Sequence, residues 1–167
     1  METMQNLLTV KNRENQIIEL LDKHLASAVD LQFRISNAIW NAGDPRLAET
    51  RELSATASEL NQFCELMAVR LRALGALGQP SLQRTRARSF LDPHPLAATG
   101  DEEHISAIDR ALAKFRQSVR QAREKAAALR DKTTAALFGK LARAIDAQIW
   151  FLRSPSKASC KLQPKAG

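Results

Sequence analysis

The side chains that could hold a metal or drive acid–base chemistry are few and scattered. His104 sits beside Glu102 and Glu103, a trio that could ligate a cation, although its spacing is loose for a metal site. His24 falls on a long helical stretch and reads as a surface or interface histidine, and His94, between Pro93 and Pro95, reads as structural. No Ser/His/Asp or Cys/His arrangement and no phosphate-binding glycine loop is present. Cys64 lies in an apolar stripe, as a buried thiol does, and Cys160 lies in a polar tail, so the two do not form a disulfide framework. The chemistry that remains is electrostatic. A net charge of +7 and a pI near 9.9 favour anionic partners, nucleic acid first and anionic membrane or granule surfaces second. Arg153, Lys157, Lys161 and Lys165 lead into and through a tail with no acid, which can hold phosphates without reading bases, or serve only to solubilise. Arg84, Arg86 and Arg88 either extend a basic surface or pair with acids at a subunit interface. Arg116, Arg120, Arg123 and Lys125 read as a solvated face.

Long helices must position these groups. Tyrosine is absent and alanine abundant, so helix is the default state. The first helix reads from about Asn12 to Asn41, on a stripe of Ile17, Leu21, Leu25, Ala28, Leu31, Ile35 and Ile39. After Gly43, Asp44 caps and Pro45 starts a second helix to Leu74, with Leu53, Leu60, Phe63, Cys64, Met67 and Leu71 inward. A crossover from Gly75 to Gly100 has room for a short helix between Ser81 and Phe90. A third helix starts at Thr99 or Asp101, carrying Ile105, Ile108, Leu112, Phe115, Val119 and Ala126. A turn near Arg130-Asp131-Lys132 leads to the fourth, about Thr133 to Arg153, on Leu137, Phe138, Leu141, Ile145, Ile149, Trp150 and Leu152. Residues 1–11 read as a flexible lead, 12–153 as one bundle, and 154–167 as a disordered basic tail. Short turns make neighbouring helices antiparallel, and one long crossover between helices 2 and 3 predicts an all-α, ferritin-like four-helix bundle. No stretch reaches the roughly 18 apolar residues of a membrane span, and the N-terminus lacks a signal-peptide pattern, so a cytoplasmic, nucleoid-associated protein is expected.

Three segments carry a family resemblance. Asn37-Ala38-Ile39-Trp40-Asn41, then Gly43, resembles the His-Trp-Asn segment that ends the first helix of the Dps family, the DNA-binding proteins from starved cells. Met67-Ala68-Val69-Arg70-Leu71-Arg72-Ala73-Leu74-Gly75 resembles the end of that family's second helix. Ile145-Asp146-Ala147-Gln148-Ile149-Trp150-Phe151-Leu152 resembles its closing apolar segment. The resemblance covers about residues 12–153. It implies a subunit of a hollow dodecamer that shields DNA through basic tails and oxidises ferrous iron at a two-fold interface.

Carried over residue by residue, the implied iron ligands fail. The histidine before the tryptophan becomes Ile39, the next histidine Thr50 or Arg51, the following carboxylate Ser54, and the second-helix pair Glu65 and Val69. Only Glu65 could ligate, and iron oxidation needs several hard oxygen or imidazole ligands. Ferroxidase activity at the usual site is expected to be absent or weak, no cofactor is expected, and iron would require an altered site. The family's acidic three-fold pore keeps only Asp131, between Arg130 and Lys132. Trp40 and Trp150 are expected as core or interface anchors. The expected function is a self-assembling, Dps-like shell, a dodecamer, that binds and protects DNA without sequence specificity. The alternatives are a mini-ferritin with an altered iron site and a helical, phasin-like surface coat.

Overall fold

Long amphipathic helices can bury their apolar stripes only against one another. The computed structural model describes residues 2–41, 48–78, 81–94 and 101–153. In them the chain forms α1 (Glu2–Asn41), α2 (Ala48–Ala73), α3 (Leu82–Arg88), α4 (Asp101–Ala128) and α5 (Lys132–Arg153). α1 packs on α2 and α4, α5 packs on α4 and α2, and the short α3 lies against α1. Side-chain bonds fix the directions. Arg70, near the end of α2, reaches Asp131 at the start of α5, while Thr56, near the start of α2, bonds Gln148 near the end of α5. These two helices are therefore antiparallel. Arg120 with Asp146 and Arg153 with Asp109 make α4 and α5 antiparallel as well. Consequently α2 and α4 run parallel, which is what one long crossover permits. The architecture is the expected all-α, ferritin-like bundle.

The stripes predicted from spacing form the core: Ile17 to Ile35 on α1, Leu53 to Leu71 on α2, Ile108 to Ala126 on α4 and Phe138 to Ile149 on α5. Ile39, Ile105 and Leu137 are only partly buried. Phe115 and Phe138 are fully enclosed, and truncating either to Ala costs about 3–5 kcal/mol.

The described turns after α2 and α4 follow one rule. At the end of α2, Gly75 takes a left-handed φ of 77°, its N–H donates to the Arg72 carbonyl and the Ala76 N–H donates to the Leu71 carbonyl. At the end of α4, Arg130 takes φ 60°, with its N–H on Ala127 and the Asp131 N–H on Ala126. Each pairing satisfies helix-end carbonyls, and Arg130 adopts a conformation better suited to glycine. Gly78 then lets the chain cross α2 closely, since a Cβ there would sit 3.2 Å from Ala68 Cα.

One expectation is corrected at the N-terminus. The lead over residues 1–11 is helix from Glu2 onward, continuous with α1. Leu8 and Val10 are exposed, and the segment holds helix-forming residues without Pro or Gly. The expected short crossover helix is α3, whose N-cap Ser81 accepts from the Arg84 amide. The proposed cap at Asp44-Pro45 and the tail from 154 to 167 lie outside the described residues.

Candidate functional site

The implied metal positions lie on α1 and α2. Ile39 is partly buried against the core near the end of α1. Ser54 and Glu65 are both exposed on α2 and stand 11 residues apart, about 16 Å along the axis at 1.5 Å per residue. Glu65 accepts a hydrogen bond from Asn61 Nδ2 at 3.0 Å. Val69, one turn on, is 57% exposed. The side chain of Thr50 lies outside the described residues. No single subunit can bring these positions to one point, so any site they made would need a second copy. Among the described residues, no three His, Cys, Asp or Glu side chains group as a metal would require.

Neither tryptophan is a core residue. Trp40 is 71% and Trp150 is 65% exposed, which corrects the core half of that expectation. Trp40 meets Phe33 edge-to-face at 6.4 Å, and Phe33 is itself exposed. Leu66 and Val69 on α2 and Leu82 on α3 are further exposed large apolar residues. A groove between α1 and α3 is lined by Val29, Phe33, Leu82 and Leu91.

Asp131 does not present a free charge. Its Oδ1 accepts from the Thr134 amide at 2.9 Å, and its Oδ2 accepts from the Thr134 hydroxyl and from Arg70 at 2.8 Å. Burial pushes its carboxyl up, but Thr134 and Arg70 together outweigh this and hold it below the ordinary value. Asp131 therefore caps α5 and neutralises Arg70 instead of attracting cations.

Two of the three crossover arginines, Arg84 and Arg88, pair inside the subunit, while Arg86 is exposed. Arg84 donates to both oxygens of buried Asp22 at 3.0–3.3 Å. Arg88 reaches Asp22 at 3.2 Å and Glu19 at 2.9 Å. Arg153, expected to act with the tail, holds Asp109 of α4 with two bonds of 2.9 Å. Lys157, Lys161 and Lys165 lie outside the described residues. On the face read as solvated, Arg116 and Arg120 share Asp146.

His24 is neither at the surface nor at an interface. It is buried among Phe90, Phe115 and Phe138. Its Nδ1 lies 2.7 Å from the Leu20 carbonyl and its Nε2 lies 3.0 Å from the Ser118 hydroxyl. Burial pushes its pKa below the ordinary value. Cys64 is buried as expected, and burial, then the charge of Glu65, push its thiol up to about 12, where it is unreactive. The ring of His104 lies against that of His94 from the crossover, while Glu102 and Glu103 are exposed. Sequence spacing does not signal that pairing.

The bundle and its single crossover define the class. A family description of a ferritin-like domain matches residues 18–155. The DNA protection during starvation protein of Agrobacterium fabrum (strain C58) is 27% identical over 144 residues, covering 86% of this chain and 89% of that protein. Dps from Thermosynechococcus elongatus superposes with a TM-score of 0.80 at 16% identity, over 90% of this chain and 98% of that one. An archaeal Dps homologue from Halobacterium salinarum gives 0.78 at 18% identity, over 84% and 79%. The chain belongs to the ferritin-like family, and it shares its fold with these Dps structures. Among the described residues no helix is long and apolar enough to cross a membrane.

Proposed function

We propose that this chain is a Dps-like subunit that assembles into a shell, a dodecamer in its complete form, and binds and protects DNA without sequence specificity, its ferroxidase centre having degenerated. The observation that carries this reading is the chemistry of the α1–α2 face. Of the five implied ligand positions only Glu65 bears a metal-competent group, while Ile39 and Val69 are apolar and flanked by exposed Trp40, Phe33 and Leu66. Such a face supports contact between copies through burial in place of shared metal ligands. The net charge of +7, three tail lysines and a relative named for DNA protection support an anionic partner and, with it, association with the nucleoid. Many tails on one particle act multivalently, so weak phosphate contacts sum to firm retention.

Light-scattering mass on the purified protein, with ferrous iron and peroxide added to a parallel sample, tests this. A mass near twelve subunits, no iron oxidation above the buffer rate and salt-sensitive retardation of DNA are expected. A monomer overturns the shell, and fast oxidation overturns the loss of the centre. DNA binding that ignores salt overturns the phosphate contacts.

A further inference from the structure

Where α4 turns into α5, the end of the bundle holds a pocket of about 430 Å3 between the early turns of α1, the end of α2 and the turn itself. Val10, Ile17, Leu74 and Leu129 give it an apolar lining, and Arg13, Arg70, Arg130 and Lys132 give it four cations. Glu14 and Asp131 are the acids that line it. Asp131 is taken up by Arg70 and Thr134, which leaves Glu14 against Arg13, Arg130 and Lys132. None of those three cations has an ion pair among the described residues. Arg130 is also held at a backbone cost. It takes φ 60°, a conformation natural to glycine, and the matching turn after α2 uses Gly75 at φ 77°. Its side chain is exposed, so burial does not explain an arginine there. An unpaired cation on a left-handed backbone beside a pocket calls for a partner of opposite charge.

We propose that this pocket binds a small phosphate-bearing anion of the pyrophosphate or nucleoside diphosphate class. Arg13 and Arg130 can each offer a fork of N–H donors to phosphate oxygens, and Lys132 adds a compact charge. Three cations favour a polyvalent anion over a monovalent one. α5 begins at Lys132, so its positive end adds to the same field. The wall behind them is fixed in advance. Arg70 ties α2 to Asp131 at 2.8 Å and donates from Nε to the Thr134 hydroxyl at 3.1 Å. A concavity walled by three segments suits a free anion better than a duplex, whose phosphates lie along a convex rod. The site shares no residue with the degenerate positions on α1 and α2 or with the tail lysines, and it does not rest on DNA binding.

Calorimetric titration of the full chain with sodium pyrophosphate at fixed ionic strength tests this. Wild type is compared with Arg130→Gly, Lys132→Gln, their double variant, and a tail variant carrying Lys157→Gln, Lys161→Gln and Lys165→Gln. One pyrophosphate per chain is expected, with affinity weaker by at least about tenfold in the double variant and unchanged in the tail variant. Arg130→Gly relieves the left-handed backbone, so its unfolding temperature should rise while its affinity falls, a combination that misfolding does not produce. The double variant should retard DNA as the wild type does. Absence of pyrophosphate binding, or equal affinity in the double variant, overturns the proposal. Binding lost only in the tail variant places the anion on the tail and overturns it. DNA retardation lost with the pocket cations assigns the pocket to duplex phosphates and overturns the small anion. A lower unfolding temperature in Arg130→Gly makes the arginine a structural residue and overturns its role.

Discussion

His24 is a titratable base placed inside an aromatic cage. The Leu20 carbonyl can only accept, so Nδ1 carries the proton and Nε2 accepts from the Ser118 hydroxyl. A second proton would put a charge among Phe90, Phe115 and Phe138 and break the Ser118 bond as it stands. The folded pKa therefore lies below the ordinary 6.5, chiefly through burial. The unfolded chain binds more protons between those two values, so stability is complete above pH 6.5 and falls as the pH drops below it. Urea unfolding should reveal a loss of up to about 1.4 kcal/mol per pH unit in that window, flattened in His24→Leu. His94→Gln should keep most of the slope, because His94 is partly exposed; an equal slope in wild type and His24→Leu would refute the assignment. Asp131 works in the opposite sense. Its carboxyl is held below 3.8, so its contribution is present above that value and is lost as pH falls through the lowered one. Asp131→Ala removes the cap of α5 and leaves Arg70 unpaired, and should cost about 1–2 kcal/mol in urea midpoints, with Asp131→Asn costing less.

At the scale of elements, α3 is held to α1 by charge as much as by packing. Asp22 is buried and takes bonds from both Arg84 and Arg88, which are themselves half-exposed. Removing one arginine leaves the carboxylate with the other, so Arg84→Ala alone should cost about 1 kcal/mol or less. Removing both strands a buried charge, and Arg84→Ala with Arg88→Ala should cost about 3 kcal/mol, more than the sum of the singles. Additive costs in a double-mutant cycle would show that Asp22 is better hydrated than its burial indicates. This cluster also marks where sequence reading stops. Helix stripes are legible because burial repeats every three to four residues, and α3 is legible from Ser81 and the prolines around it. Arg84 and Asp22 are 62 residues apart, and nothing in either segment names the other. His24 reads as a surface or interface residue for the same reason: its cage comes from the crossover, α4 and α5, and only packing assembles it. The candidate metal positions are easier, because Ile39 and Val69 are non-ligands whatever their geometry. The helix over residues 2–11 escapes notice because it lacks the apolar stripe by which the rest of α1 is recognised.

At the scale of the whole molecule, the exposed apolar residues pose a problem that a lone subunit does not solve. Phe33, Trp40, Leu66, Val69 and Leu82 face water on α1, α2 and α3, more apolar surface than scattered single residues account for. If contact between copies covers this face, a buried charge there should disrupt assembly without harming the fold. Val69→Asp is the cleaner substitution because Val69 is 57% exposed, whereas Ile39→Asp also disturbs a residue packed on the core. Val69→Asp should leave helicity and the unfolding midpoint within about 0.5 kcal/mol of wild type while shifting the light-scattering mass to smaller species. DNA retention should fall with it, since fewer tails are then tethered together and each contributes few phosphate contacts. The salt dependence separates the two effects: the log–log slope should shrink in Val69→Asp, and should shrink further in a chain ended after Arg153. An unchanged mass in Val69→Asp would move the contact to another face. An unchanged slope in the shortened chain would move the DNA from the tail to the body of the bundle, where Arg116 and Arg120 share a single acidic partner, Asp146, among the described ion pairs.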